Sequence, residues 1–377
     1  MKLHITHDNV FIDYVINAAN ELECTGHKFL IITDNGKNAE RVKNKNVFCA
    51  AYQSEAFHEF IGDLRQYEVV YIHWLYGNTA RFVNALPNSI KVVWCFWGGE
   101  GLEMPEMLKD VYQPVSYKYF LNHNPNHARF SLVDMRGYFK RKRAAKNLFN
   151  ENIKSIKRSN FFAHYLLDDY TLIKKYSGFK AGFLPFFYAP LNEIVPFNSA
   201  LEIKGDDIML GNSDTLTNNH FEAIDLLSDV DITGKKIFCP LSYENGAYAQ
   251  TISDYGTKKL GEAFIPLRTY LAKEEYNGIL SACSFGIMNH NRSQALGNIL
   301  VLLWSGAKVF MSEQSSLFRF LEASGVLVFP FHKSFMATNN TVFKKLSLSE
   351  AEHNRQKLIQ LFGKQKHREQ MQQLFAI

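Results

Sequence analysis

Short apolar runs alternate with amphipathic stretches along most of this chain, and the alternation predicts its secondary structure. Apolar runs bounded by polar turns are typical of buried strands, whereas apolar residues at helical spacing are typical of helices packed on one face. In the second half the predicted strands are Ile208–Leu210, Lys236–Cys239, Ala263–Leu267, Phe285–Met288, Lys308–Met311 and Val326–Phe329. The predicted helices between them are Phe221–Leu227, Ala247–Lys259, Leu271–Ala282, Ala295–Trp304 and Ser315–Ala323.

The first half shows the same alternation. Its predicted strands include Leu3–Thr6, Phe29–Thr33, Val69–His73 and Lys91–Trp97. Single helices between buried strands indicate parallel βαβ units. Because 377 residues exceed the usual size of one compact core, we expect an α/β protein with two domains. We expect an N-terminal domain at 1–200, a C-terminal domain at 201–350 and closing helices at 351–377.

The chain repeats a nucleotide-binding pattern at residues 206–220, which read DDIMLGNSDTLTNNH. An apolar run ends in Gly211, Asn212 and Ser213, and we predict a helix beginning near Asn218 or Asn219. A glycine turn before a helix brings backbone N–H groups and the positive helix end to one point, which suits a phosphate. Such turns are also common without a ligand, and Asn219 or Asn218 could simply cap the helix. Both interpretations stay open on these residues alone.

A second polar segment, His290–Asn298, follows the predicted strand Phe285–Met288. Parallel strands end at one edge of their sheet, and ligands gather at that edge. Arg292 offers a bidentate fork for a diphosphate. The alternative is a capped surface helix with a solvated arginine. Further candidate contacts to the donor are Asn219 and Gly297, and candidates for binding its nucleoside or sugar are Tyr243, Gln294 and Asn298.

The third candidate segment is the run VVWCFWGGE, which ends a predicted strand of the first half. The aromatic face of Trp97 suits a sugar ring, and Gly98 and Gly99 lead to the carboxylate of Glu100. A carboxylate at such a turn can act as a general base or stabilise developing positive charge. Glu100 could instead cap a helix or pair with a lysine. His73 ends a neighbouring strand and is a second catalytic candidate, although a lone histidine after an apolar run is more often structural.

Charge adds one feature to this picture. The net charge is only +5, but residues 136–158 hold nine Lys or Arg and one acid. This basic amphipathic stretch indicates a helix lying on anionic lipid, or else a solvated helix face. No nucleic-acid-binding motif accompanies it, so we expect no nucleic-acid partner. The start of the chain reads as a strand rather than a signal peptide, and the five scattered cysteines fit a reducing cytoplasm.

Taken together, four segments resemble the TDP-N-acetylfucosamine:lipid II N-acetylfucosaminyltransferase family, also called the 4-alpha-L-fucosyltransferase or glycosyltransferase 56 family. The family pattern has an aspartate where this chain has Glu100. The order and spacing of the segments agree with the family. The matching segments are VVWCFWGGE, IMLGNSDTLTNNHFEAI, IFCPLSYENGAYAQTI and EEYNGILSACSFGIMNHNRSQALGNILVLLWSGAKVFM.

The resemblance implies a GT-B architecture, in which two Rossmann-like domains face each other across a cleft and the C-terminal helix crosses back. It implies transfer of a deoxy-amino sugar, such as N-acetylfucosamine, from a dTDP-linked donor to a polyprenyl-diphosphate-linked saccharide. The donor would bind the second half, and the acceptor would bind Trp97, Gly98 and Gly99 in the first. The resemblance implies no cofactor and no bound metal, and a peripheral position on the cytoplasmic membrane face.

Two other functions are compatible with the same residues. A nucleotide-sugar epimerase or hydrolase would act on the donor without any lipid acceptor. A non-catalytic assembly protein docked on the membrane would bind no nucleotide diphosphate. The residues alone do not choose among the three.

Overall fold

A computed structural model describes residues 1–36, 38–102, 104–123, 135–201, 205–242, 246–333 and 342–377. The chain divides into two compact units. Unit 1 comprises Met1–Met104, Ala128–Pro190 and Lys364–Ile377, and unit 2 comprises Pro105–His127 and Leu191–Gly363. Residues 105–123, expected in the N-terminal domain, therefore group with unit 2, and the last helix, expected to cross back to the N-terminal domain, groups with unit 1.

The first 190 residues alternate strands with helices. The strands are β1 Lys2–His7, β2 His27–Ile32, β3 Phe48–Ala50, β4 Val69–His73, β5 Lys91–Cys95, β6 Phe161–His164 and β7 Gly182–Pro185. The helices are α1 Phe11–Glu21, α2 Glu55–Ile61, α3 Asn78–Ala85, α4 Gly99–Leu102, α5 Leu108–Val111, α6 Pro114–His123, α7 Met135–Arg158 and α8 Leu167–Ser177.

The rest of the chain follows the same plan. The strands are β8 Asp207–Leu210, β9 Ile237–Pro240, β10 Phe264–Leu267, β11 Cys283–Met288, β12 Lys308–Met311 and β13 Phe329–Pro330. The helices are α9 Leu191–Ile194, α10 His220–Ser228, α11 Gly246–Leu260, α12 Lys273–Ala282, α13 Leu296–Trp304, α14 Ser316–Ala323, α15 Leu348–Phe362 and α16 Lys364–Phe375.

Unit 1 is built on a parallel sheet with strand order β3-β2-β1-β4-β5-β6-β7. One face packs against α1 and α16 through buried side chains that include Val15, Tyr71 and Leu374. Ser54 caps α2 by accepting a hydrogen bond from the Phe57 amide, as expected for a serine at a helix N-terminus. The central strands β1 and β4 are buried on both faces because helices cover both.

Unit 2 is built on a second parallel sheet with strand order β10-β9-β8-β11-β12-β13. Its core includes Ile208, Ile224, Ile252 and Phe285, all fully enclosed. The expected strand Val326–Phe329 is displaced in the structure, where β13 covers only Phe329–Pro330. The expected α/β class, with two parallel sheets, is confirmed.

Each strand order reverses at one point, between β1 and β4 in unit 1 and between β8 and β11 in unit 2. The chain leaves the two strands beside a reversal in opposite directions, which opens a crevice at their carboxyl ends. Ligand sites of open parallel sheets lie at this crevice. Within the part of the chain that the structure describes, no helix is long and apolar enough to cross a membrane.

Candidate functional site

The turn after β8 lies beside the strand reversal of unit 2, and its first residue can only be glycine. Gly211 has a φ of +70°. A Cβ atom there would meet Asn218 Oδ1 at 2.6 Å and His220 Nε2 at 2.9 Å. Both the left-handed backbone and the close approach exclude a side chain. The glycine therefore makes room for Asn218.

Asn218 holds the whole turn together. Its Oδ1 accepts a hydrogen bond of 3.0 Å from the Asn212 amide, and its Nδ2 donates to the Ser213 carbonyl at 3.1 Å. The same Nδ2 also donates to the carbonyl of Thr215 at 3.0 Å. Only 1% of Asn218 is exposed, so this amide group serves the fold and not a ligand. The sequence pattern named it only as a possible helix cap.

Two side chains of the polar segment that follows β11, His290 and Gln294, contact this turn. His290 Nε2 lies 2.8 Å from Asn218 Oδ1 and 3.1 Å from Asn212 Oδ1. Burial, with smaller contributions from Arg292 and His220, lowers the pKa of His290 well below 6.5, so its ring is neutral. The bond from the Asn212 amide identifies Asn218 Oδ1 as an oxygen, which can only accept, so His290 Nε2 must carry the hydrogen.

Gln294 completes this network of side chains. Its Nε2 donates to Asn212 Oδ1 at 2.9 Å, and its Oε1 accepts from Thr217 Oγ1 at 2.6 Å. The structure thus brings together Gly211, Asn212, Ser213 and Gln294, all predicted as donor contacts. The first two amides of the turn are already used, since Gly211 N donates to the Ile287 carbonyl. The backbone cradle expected from the glycine turn therefore lacks the amides of Gly211 and Asn212.

The N-terminus of α13 is the more open part of the unit 2 site. Ala295 precedes the helix with a φ of +61°, and no side chain caps the helix. A Cβ on Gly297 would meet nothing within 4 Å. No neighbouring protein atom thus requires the glycine, which leaves space over the positive end of a nine-residue helix. Arg292 lies three residues before the cap, with Nη1 3.2 Å from the Ser293 carbonyl.

Asn298 is turned towards α12, where its Nδ2 donates to Tyr276 Oη at 2.8 Å. Asn219 is fully enclosed and has left-handed backbone, with a φ of 49°. Its Oδ1 accepts from the Gln113 amide at 2.9 Å, and its Nδ2 donates to the Asn289 carbonyl at 3.0 Å. It makes no capping hydrogen bond to α10. Asn219 therefore anchors the segment before α6, which the sequence pattern did not foresee. The remaining donor candidate, Tyr243, lies outside the described residues.

A cavity of about 500 Å³ lies near the carboxyl ends of β11 and β12. Glu222, Asp225, Asp229 and Glu313 contribute to its lining, together with His332 and the ammonium group of Lys333. Asp225 and Asp229 are paired with Lys259 and Lys333, and with four carboxylates the lining offers a diphosphate no excess of positive charge.

The carboxyl end of β5 belongs to unit 1, and there Glu100 stabilises the turn into α4. Glu100 is only 6% exposed, and its Oε1 accepts from the Trp97 amide at 2.9 Å and from Trp94 Nε1 at 3.2 Å. Gly98 has a φ of +126°, and its carbonyl accepts from the amides of Gly101 and Leu102. This geometry is that of a residue that orders a turn. A base role for Glu100 stays a prediction.

Four aromatic side chains cluster at the same edge of unit 1. Trp97 makes edge-on ring contacts with Phe11 at 5.3 Å, Tyr188 at 5.7 Å and Trp74 at 6.0 Å between centroids. Phe11 is 42% exposed, so the cluster reaches the surface. Trp74 has a φ of +83°, a conformation that costs roughly 1–3 kcal/mol in a residue with a side chain. Half-buried Gly99 follows Trp97 and Gly98 at the same turn.

His73 ends β4 but does not reach the surface. It is fully enclosed, and its Nδ1 lies 2.8 Å from Tyr188 Oη. Burial lowers the pKa of His73 to about 3, which makes it a poor base by itself at neutral pH. Any part it takes in proton transfer would run through Tyr188. Among the described residues no group of three or more His, Cys, Asp or Glu could hold a metal ion.

Known proteins share this architecture. A sucrose-phosphate synthase from Thermosynechococcus elongatus matches with a TM-score of 0.65 at 11% identity, over 100% of this chain and 98% of that chain. A UDP-forming trehalose-phosphate synthase from Burkholderia xenovorans gives 0.64 at 10% identity, over 99% and 98%. Anabaena HepE, solved with UDP and glucose, gives 0.62 at 12% identity, over 100% and 99%. At these identities the likeness is evidence of the fold alone.

The fold is that of the GT-B glycosyltransferases, with two Rossmann-like units, and the protein is an enzyme of that class. The sequence model described as 4-alpha-L-fucosyltransferase, glycosyl transferase group 56, matches residues 180–374, more than half of the chain. The chain belongs to this family.

Two glycines of unit 2 allow a matched test of the turn. Gly211→Ala should lower the free energy of unfolding by about 1–3 kcal/mol, because a side chain is excluded by both the backbone and Asn218. Gly297→Ala should leave stability unchanged or raise it slightly, since its Cβ enters open space on a helix. Urea unfolding of both variants measures the difference. Equal stabilities would show that the contact at Gly211 relaxes freely.

Buried histidines should make the fold sensitive to acid. Burial lowers the pKa of His73 and of His220 from 6.5 to about 3. The unfolded chain therefore binds more protons, so stability is complete above pH 6.5 and falls as the pH drops towards 3. Each of the two should cost roughly 1.4 kcal/mol per pH unit below that value.

Calorimetric unfolding at about pH 7.5 and about pH 5.5, at constant ionic strength, tests this dependence. Carboxylates titrate near 4 and change little in this window. A midpoint that stays constant or rises on acidification would contradict burial of neutral imidazoles.

Proposed function

We propose that this enzyme transfers a deoxy-amino sugar of the N-acetylfucosamine type from a nucleoside diphosphate to a saccharide carried on a polyprenyl diphosphate. The observation that carries the proposal is the open N-terminus of α13, with Arg292 before it and no side chain at Gly297. A helix end and an arginine are two devices by which proteins hold a diphosphate without a metal ion.

The donor side of the proposal rests on unit 2. The diphosphate would lie over Gly297 and be met by Arg292, where charge builds on the leaving group. Side-chain oxygens of Asn212, Ser213 and Gln294 lie at the neighbouring strand end and could contact the sugar or ribose hydroxyls. HepE was solved with UDP and glucose, which supports a nucleotide sugar as the donor for a chain of the same fold. We propose a dTDP-linked sugar on the basis of the family.

The acceptor side rests on the aromatic cluster of unit 1. Trp97, Trp74 and Phe11 present ring surfaces at the carboxyl edge of the sheet, and aromatic faces pack well against the apolar faces of sugars. The strained backbone of Trp74 supports a functional reason for its position, because strain of this kind persists mainly where a site requires it.

Helix α7 supports docking on a membrane surface. Its C-terminal half packs on the rest of unit 1. Asn84 Nδ2 on α3 donates to the Glu151 carbonyl at 2.9 Å, and Ser155 and Ile156 are buried. Earlier in the helix, Arg143 and Lys146 are exposed, and Phe139 is 59% exposed. A helix with exposed cations and an exposed aromatic ring suits an anionic lipid surface. Such a position would bring the enzyme to a lipid-linked acceptor.

Loss of the Arg292 guanidinium should weaken nucleotide binding. We expect Arg292→Ala to raise the Kd for dTDP at least tenfold and to lower kcat in transfer, since the contact should strengthen as the diphosphate leaves. Gly297→Ala should also weaken binding while the protein stays stable. Isothermal calorimetry with dTDP and UDP measures both.

Arg319→Ala is a matched control, because Arg319 is an exposed arginine of unit 2 whose Nη1 likewise donates to backbone carbonyls. Wild-type affinity in Arg292→Ala would remove that residue from the donor site. Donor turnover without any acceptor would favour the hydrolase alternative over transfer.

The exposed cations of α7 should control binding to vesicles. The double variant Arg143→Glu and Lys146→Glu should lose most co-sedimentation with vesicles that contain phosphatidylserine, because each cation contributes about 1 kcal/mol near such a surface. The control is Lys236→Glu with Lys258→Glu, which changes the net charge equally with exposed lysines of unit 2. Binding that persists in the α7 variant, or that does not weaken with salt, would refute the surface.

A further inference from the structure

Three histidines form a continuous line of hydrogen bonds on one face of the unit 1 sheet. His27 Nδ1 lies 2.9 Å from His4 Nε2, and His4 Nδ1 lies 3.1 Å from His73 Nε2. The line continues from His73 Nδ1 to Tyr188 Oη at 2.8 Å, and Tyr188 Oη accepts from Trp97 Nε1 at 2.5 Å. Every member thus uses ring or hydroxyl atoms to contact the next.

The line runs diagonally across β2, β1 and β4, from the amino ends of these strands towards their carboxyl ends. His27 is paired with Lys2 at the start of β1, and His73 is paired with Thr6 near the end of β1. His4 lies between them, stacked on Tyr71 at 4.3 Å between ring centroids. The line therefore joins the half-buried His27 at the amino edge to the aromatic cluster at the carboxyl edge.

The direction of these hydrogen bonds follows from Trp97. An indole N–H can only donate, so Tyr188 Oη accepts from it and keeps one hydrogen to give. That hydrogen can go to His73 Nδ1 at 2.8 Å or to the Cys95 carbonyl at 3.5 Å. Because the first distance is that of a normal hydrogen bond, Tyr188 donates to His73 Nδ1. His73 then carries its hydrogen on Nε2 and donates to His4.

The same reasoning continues to the surface. His4 accepts at Nδ1, so its Nε2 carries the hydrogen and donates to His27 Nδ1. His27 in turn carries its hydrogen on Nε2. Neutral rings are required, and burial lowers the pKa of His73 to about 3 and, together with Lys2 and the N-terminus, that of His27 to about 4.

Stability alone gives little reason for such a line. Replacing both partners of a buried hydrogen bond by apolar groups of the same shape is often neutral or stabilising. Here four hydrogen-bonding groups occupy a core that includes Val15, Tyr71 and Leu374. The polar path ends at Tyr188, beside the surface to which we assign the acceptor.

We propose that His27, His4, His73 and Tyr188 form a proton relay that carries away the proton lost by the acceptor hydroxyl. This inference rests on the proposed function. As the acceptor oxygen forms its bond to the sugar, the bond from the sugar to the diphosphate breaks, and its electron pair leaves with the diphosphate. The acceptor proton passes to Tyr188 Oη, whose own proton moves to His73 Nδ1.

The remaining transfers are the same in kind. His73 gives its Nε2 proton to His4 Nδ1, His4 gives its Nε2 proton to His27 Nδ1, and His27 Nε2 releases one proton to water. Each ring stays neutral after the concerted shift. Once the products leave, a proton re-enters at His27, the sequence reverses and Tyr188 returns a proton to water at the emptied site.

The first test reads the relay without any activity. In protein with ¹⁵N-labelled histidine, NMR at neutral pH should find His4, His27 and His73 neutral and protonated on Nε2. Couplings across the hydrogen bonds should link His27 to His4 and His4 to His73. Trp97→Phe removes the donor that sets the direction, so Nδ1-protonated rings should appear. Isolated rings, or mixed tautomers in the wild type, would overturn the relay.

The second test uses single-turnover transfer in H₂O–D₂O mixtures. His4→Phe keeps the ring stack but breaks the line, and should slow transfer at least tenfold with little change in donor KM. The wild-type rate should depend on deuterium content as expected for several protons in flight, and His4→Phe should lose that curvature. Tyr71→Phe is the matched control, because it removes the buried bond to the Leu374 carbonyl beside His4 and spares the line.

The two tests separate the possible failures. The predicted tautomers with no transferase activity on any donor and acceptor would refute the proposed function. Transfer at the wild-type rate in His4→Phe, or with an unchanged deuterium dependence, would refute the relay while leaving the function intact.

Discussion

Burial of the two parallel sheets on both faces is the constraint on which the rest of this structure depends. The backbone groups of strands such as β4 and β11 form hydrogen bonds to neighbouring strands, and helices cover both faces of the sheet. The side chains of these strands are therefore enclosed. Polar chemistry that is to meet a ligand must then lie where the chain leaves the sheet. In each unit the candidate residues lie at the carboxyl edge, beside the point where the strand order reverses.

The two edges meet this constraint with different chemistry. In unit 2 a network of amides centred on Asn218 orders the turn after β8, and the open N-terminus of α13 leaves room for a negatively charged group. In unit 1 aromatic rings around Trp97 form the surface, and hydrogen bonds continue from it into the core through Tyr188. Charge recognition suits the first edge, and contact with sugar rings suits the second.

Much of the secondary structure was predictable from the alternation of apolar and polar residues. The strand Val69–His73 and the strand Lys308–Met311 were predicted with their observed bounds, because buried parallel strands read as short apolar runs. The last strand was placed too early, since Val326 and Leu327 are equally apolar but lie before the pairing with β12. Periodicity detects burial, and pairing with a neighbour decides where a strand begins.

The sequence by itself determined the α/β class, the two nucleotide-binding patterns and the regions in which candidate residues gather. Only the tertiary structure decided what those residues do. From the sequence alone Glu100 and Asn219 look like ligand contacts, but each is enclosed and hydrogen-bonded to backbone groups. His4, His27 and Tyr188 carry no motif and become connected only because adjacent parallel strands bring distant positions into register. Local pattern records burial and turn chemistry, whereas hydrogen bonds between strands depend on the register of the whole sheet.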